Sequence, residues 1–136
     1  MTRRSISTVC LVLAAASLLG ACGGDDNGGS GGLSSNEKLL VVQARGDIGE
    51  FCSVAGTGND NELFDRNFEA MLTGVRDLAK VYRDNPNATI DIAIEKKKLT
   101  MEQVMREQIA ALRKGCGKDA KQQAGVLEAA LQQQQQ

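Results

Sequence analysis

Between Asn61 and Asp84, the apolar residues Phe64, Phe68, Met71, Val75, Leu78 and Tyr82 follow one another at alternating spacings of four and three. That is the period of one face of an α-helix. A strand, whose side chains alternate every two residues, cannot gather them on one side. Leu63, Leu72 and Ala79 widen the stripe, Asp60 or Asn61 can cap its start, and Asn85-Pro86-Asn87 stops it. A helix striped in this way must bury that face, so the rest of the chain has to supply other helices. The stripe is read as core rather than as a ligand groove. The expected fold is all-α, a small bundle of three to four helices with this helix at its centre.

Three further segments fit that demand. Val41, Ala44, Ile48, Phe51 and Ala55 recur at spacings of three and four, which predicts a helix from about Asn36 to Val54. Gly46 and Gly49 weaken it by up to about 1 kcal/mol each. Glu37 near its start suits the helix dipole, and Gly56-Thr57-Gly58-Asn59 ends it. Thr100 and Gln103 form the sequence signature of a capping box, with Met101, Met105, Ile109 and Leu112 on one face behind it and Gly115 as the stop. Asp119 with Gln122 opens a fourth helix carrying Ala120, Ala124, Leu127 and Leu131, and Gln132–Gln136 reads as its solvated tail. Between the second and third helices, Ala88, Ile90, Ile92 and Ile94 alternate as a strand would. A lone strand has no partner in a helical chain. Residues 88–99 are therefore expected as an irregular connector with a helical turn or a short extended piece.

The front of the chain is of another kind. Arg3 and Arg4 precede a largely apolar run from Ile6 to Leu19, and no acid appears before Asp25. A basic start, a short apolar stretch and a small-residue exit make a signal peptide. About 14 apolar-leaning residues are too few for a hydrocarbon core that needs roughly 20, so a permanent transmembrane helix is the weaker reading. The Gly-rich segment behind it disfavours a buried core helix. Arg3-Arg4 also suits twin-arginine export, but Ser5-Ile6-Ser7 match that pattern only in part.

The run closes on Leu19-Gly20-Ala21-Cys22. This resembles the lipobox of bacterial lipoprotein precursors, Leu-small-small-Cys, at every position, and the resemblance covers residues 1–22. It implies diacylglyceryl transfer to the Cys22 thiol, removal of residues 1–21 and often acylation of the new amine. The competing reading is a secreted protein in which Cys22 is incidental. Two or three acyl chains anchor stably, since each buried methylene contributes about 0.8 kcal/mol. The resemblance places the mature protein outside the cytoplasm, on the outer face of the cell membrane or on an outer membrane.

Residues 22–35 continue as Gly-Gly-Asp-Asp-Asn-Gly-Gly-Ser-Gly-Gly-Leu-Ser-Ser after Cys22, which reads as a flexible linker. Its roughly 13 residues give a typical reach of about 20 Å. Residues 36–131 then form one helical domain, with 132–136 as the poly-Gln tail. Loss of Arg3 and Arg4 leaves 14 basic against 17 acidic residues, a net charge of about −3. That argues against a nucleic-acid partner, which wants a concentrated basic face. A domain this small cannot form two lobes around a ligand, which disfavours a transporter's solute-binding protein.

Cys10 leaves with the signal and Cys22 takes lipid, so Cys52 and Cys116 remain in an oxidising compartment. In an up-down-up order the C-terminal ends of the first and third helices meet, and each cysteine sits near one of them. A structural disulfide is expected. A redox pair lacks the Cys-x-x-Cys spacing, and a zinc site lacks histidine, of which the chain has none. No catalytic, cofactor-binding or metal-ligating set is visible. Ser53 and Thr57 have no histidine partner. Asp65, Glu69, Asp77 and Asp84 interleave with Arg66, Arg76, Lys80 and Arg83 as a solvated, ion-paired face. Lys96-Lys97-Lys98 could touch anionic headgroups or an envelope polymer, or be a solvated turn. The expected role is binding or structural, with the membrane as one partner through Cys22 and an envelope protein or polymer as another. The alternative is a small envelope enzyme or an accessory subunit of one.

Overall fold

The computed structural model describes residues 32–57 and 61–136. The expected signal segment, Cys22, residues 22–31 of the linker and the candidate cap Asp60 lie outside them. The described chain is an all-α bundle with one small hairpin. Four helices, α1 (Ser35–Thr57), α2 (Asn61–Asp84), α3 (Met101–Gly115) and α4 (Gly117–Gln134), are joined between α2 and α3 by strands β1 (Thr89–Ile92) and β2 (Lys97–Thr100).

The helices run up, down, up and down in a ring. Helix α1 packs chiefly on α2, α3 on α4, α2 on α4 and α1 on α3. Helix α2 is thus one wall of the ring, and its contact across the ring to α3 is slight. The directions are fixed at both ends of the bundle. At one end Asn85 Nδ2 donates to Glu37 Oε1 at 2.8 Å, joining the end of α2 to the start of α1. Gln134 Nε2 donates to the Arg83 carbonyl at 3.3 Å, bringing the end of α4 there too. At the other end Phe51 meets Phe64, and Cys52 meets Cys116.

The periodic residues fill the interior. Val41, Ala44, Ile48 and Phe51 from α1 are buried with Met71, Val75, Leu78 and Tyr82 from α2. Met101, Met105, Ile109 and Leu112 join from α3, and Ala120, Ala124, Leu127 and Leu131 from α4. The stripe of α2 is core for most of its length, while Phe64, Phe68 and Leu72 are half-buried against it. Helices α1 and α2 approach closely at Gly74. A Cβ built there would stand 3.1 Å from the Ala44 Cα. Glycine in mid-helix costs about 1 kcal/mol in propensity, and here it admits a neighbouring backbone.

The helix starts show how local chemistry sets the elements. Thr100 caps α3 as expected, with Gln103 N–H donating to Thr100 Oγ1 at 3.1 Å and Thr100 N–H to Gln103 Oε1 at 2.8 Å. A second capping box opens α1. Glu37 N–H donates to Ser34 Oγ at 3.2 Å, and Ser34 N–H donates to Glu37 Oε2 at 2.9 Å. The first helix therefore begins one residue before the expected Asn36, and it runs three beyond Val54, with Gly46 and Gly49 in open space on its outer face. Helix α3 ends at Gly115, but the left-handed residue is Gly117, with φ 87°. Helix α4 opens there, two residues before Asp119, with no side-chain cap.

Residues 88–99 correct the expectation of an irregular connector. Their partner strand lies in the same segment. Strands β1 and β2 pair antiparallel, Thr89 with Thr100, Ile90 with Leu99, Asp91 with Lys98 and Ile92 with Lys97. Ile90, Ile92 and Leu99 are buried. Two strands alone are marginal in water, and these persist by laying that apolar face on the bundle. The turn 93–96 has no Asn-Gly pair. Lys96 itself takes the left-handed conformation, φ 51°.

Candidate functional site

Chemistry-bearing side chains gather at three places, the first at the end where helices α1 and α3 finish. The order of the helices carries Cys52 and Cys116 to the same end, and their Cα atoms are 4.5 Å apart with the sulfurs at disulfide-bonding distance. That is within the span a disulfide bridges without backbone movement. Cys116 is buried and Cys52 is half-buried beside the core. Both sulfurs lie near the Ala111 carbonyl oxygen, Cys116 Sγ at 3.0 Å and Cys52 Sγ at 3.9 Å. A reduced pair would thus have an acceptor already in place. Phe51, fully buried, contacts Phe64 and Phe68 at 5.4 and 5.7 Å between ring centres, and those two rings stack 6.1 Å apart. Phe51, next to Cys52 in the chain, brings this ring cluster to the cysteine end of the bundle.

The second place is the opposite end and the flank above it. Where the described chain begins, Gly32 bridges to Thr89, the first residue of β1. Leu33 is buried next to it. The Ser34 backbone N–H, followed by the Asn85 side chain, holds the Glu37 carboxyl below its ordinary value of 4.5. The hairpin runs from this root along the bundle to Arg45. One guanidinium nitrogen there lies 3.1 Å from Glu95 Oε1 in the turn and 3.4 Å from Glu107 Oε2 on α3. Arg45 Nε is buried without a hydrogen-bond partner. Arg45 therefore ties α1, the turn and α3 together. Next to that tie, Ile94 stands 94% exposed, and Lys96 in the turn and Lys97 and Lys98 on β2 are exposed.

The third place is a shallow groove between α3 and α4, lined by Arg106, Ile109, Ala110, Arg113, Glu128 and Leu131. Its cations are held by neighbours, Arg106 by Glu102 at 2.7 Å and Arg113 by Glu128. On α1, burial pushes the Asp47 carboxyl up, helped by nearby Glu50.

Among the described residues, no three of Cys, Asp and Glu gather where a metal ion could be held. No described helix is long and apolar enough to cross a membrane. The expected lipidation residue Cys22 lies outside the described residues. Sequence reasoning missed the tie at Arg45 and the exposed Ile94, because both depend on a hairpin it did not expect. The chain matches no family model, no curated protein and no solved structure.

Proposed function

We propose that this chain is a bacterial lipoprotein: a helical domain exported across the cell membrane, anchored by lipid on Cys22, with a binding or structural role in the cell envelope. The observation that carries the reading is Leu19-Gly20-Ala21-Cys22 behind Arg3-Arg4 and an apolar run. One further point supports it. Cys52 and Cys116 stand ready to pair, which suits an oxidising compartment. In this reading the cysteine bridge is structural, and no cofactor takes part.

The test is Cys22→Ala. Wild-type protein should stay with the membrane fraction through a high-salt wash, because acyl chains and not charge hold it. The variant should leave that fraction. Variant protein that remains in normal amounts, unreleased by high salt, contradicts the anchor. Crosslinking intact envelopes and recovering the wild-type protein then identifies what its surface meets.

A further inference from the structure

We infer that the hairpin flank rests on the anionic phospholipid surface that carries the anchor, with Ile94 entering the headgroup layer and Lys96, Lys97 and Lys98 meeting lipid phosphates. This rests on the lipid-anchor reading above.

Ile94 is the first reason. It is the most exposed large apolar side chain among the described residues, at 94%. It does not sit on a loose loop. Glu95 N–H donates to the Ile92 carbonyl at 3.1 Å, Lys96 N–H donates to the Ala93 carbonyl at 3.3 Å, and Arg45 clamps Glu95. An isoleucine held outward by a fixed turn is poised to enter something apolar.

The charges beside it name the partner. Three lysines follow within four residues, and their long stems can lie along an apolar boundary while the ammonium groups stay in the polar layer. Of the nearby acids, Glu95 and Glu107 share the one guanidinium of Arg45, and Asp91 is the cross-strand neighbour of Lys98. Lys96, Lys97, Lys98 and Arg45 against Glu95, Glu107 and Asp91 leave the flank one net positive charge, on a mature chain that is net negative. The α3–α4 groove offers no such excess, since Glu102 and Glu128 hold its two arginines.

Helix α1 extends the face. Val42 is 47% exposed, with Lys38 alongside. Val42 lies one turn before Arg45, which puts it toward the hairpin side of the helix.

The point of attachment agrees. Gly32, where the described residues begin, pairs with Thr89 at the root of the hairpin, so the segment that would reach Cys22 joins the described domain beside this flank. About ten linker residues give a typical reach of about 17 Å. A four-residue strand is about 13 Å long. The anchor can therefore stay in the bilayer while the hairpin lies against it.

The chain has no tryptophan, so Ile94→Trp gives a single reporter. The mature lipidated variant is placed in phosphatidylglycerol–phosphatidylcholine vesicles containing brominated acyl chains, and its acyl mass is checked first. Gln122→Trp, exposed on α4, serves as the control. The Ile94→Trp emission should shift to the blue and be quenched severalfold more than the control. Quenching should fall in vesicles of phosphatidylcholine alone, in 1 M salt, and with Lys96→Glu/Lys97→Glu/Lys98→Glu, whose helicity is verified by circular dichroism. Lipidated protein whose two reporters are quenched alike, in all vesicles, overturns the inference and leaves the anchor standing. Protein that acquires no acyl mass overturns the anchor and this inference with it.

Discussion

The two ends of the bundle are held by different means. At one end Cys52, in the last turns of α1, meets Cys116 just past α3, beside a buried Phe51 flanked by two half-buried rings. At the other, polar groups join the pieces: the Ser34–Glu37 box, Asn85 to Glu37, Gly32 beside Thr89, and the Thr100–Gln103 box. Each polar contact exchanges water for a protein partner and adds only about 1 kcal/mol net. Burying a ring, or closing a 64-residue separation by a covalent bond, adds several times that. The first end is thus the stability store. The second is an alignment device, fixing where the linker leaves and how the hairpin lies.

That contrast can be broken at several points. Phe51→Ala should cost most, about 3–5 kcal/mol in chemical denaturation, since the ring is 1% exposed. Phe68→Ala should cost less, about 1–2 kcal/mol, because the structure leaves that ring half-buried and not fully enclosed. Equal losses would mean that the core extends further than described. Next comes Cys52→Ser with Cys116→Ser, expected to cost up to about 4 kcal/mol. Its far-ultraviolet circular dichroism should stay helical, because the apolar stripes and the Ala111 acceptor remain. Gly74→Leu follows, at about 1–3 kcal/mol, since its side chain would press on the Ala44 backbone.

Effects at the hairpin end should be smaller and depend on pH. The folded Glu37 carboxyl titrates below its ordinary value of 4.5, owing first to the Ser34 backbone N–H and then to Asn85. A depressed carboxyl stabilises the fold above its unfolded pKa, and that stability is lost as pH falls through 4.5 toward the lower folded value. Glu37→Gln should therefore cost about 0.5–1 kcal/mol at neutral pH and make the melting temperature less steep on the acid side. An unchanged acid limb would remove Glu37 from the account. Gly46→Ala should be the smallest change and of opposite sign, a gain of about 0.5–1 kcal/mol on an open helix face.

What could be read from the residues divides along the same line. The α2 bounds, Asn61 to Asp84, were legible because an unbroken stripe and a proline mark them. The meeting of Cys52 with Cys116 was legible because helix order alone brings those ends together. The hairpin was not. Its second strand, Lys97 to Thr100, has one apolar residue, and its turn uses a left-handed lysine in place of Asn-Gly. Ser34 was read as linker although Ser34-x-x-Glu37 is a capping box, because the Gly-rich run before it dominates the local composition. Helical period also could not tell how far along α2 the covering helices reach, so Phe64 and Phe68 were counted with the core. The site shared these limits. The proposed anchor at Cys22 rests on its motif alone, whereas the Arg45 tie and the exposed Ile94 exist only once the hairpin is folded.

The central claim is that residues 1–21 are spent on export and that Cys22 holds the domain at a membrane. Intact-mass analysis of unreduced protein from the membrane fraction tests it directly. The account predicts a chain beginning at Cys22, heavier by two or three acyl chains, and lighter by two hydrogens for the Cys52–Cys116 bond. A mass that includes residues 1–21, or a cleaved chain without acyl mass, would contradict it.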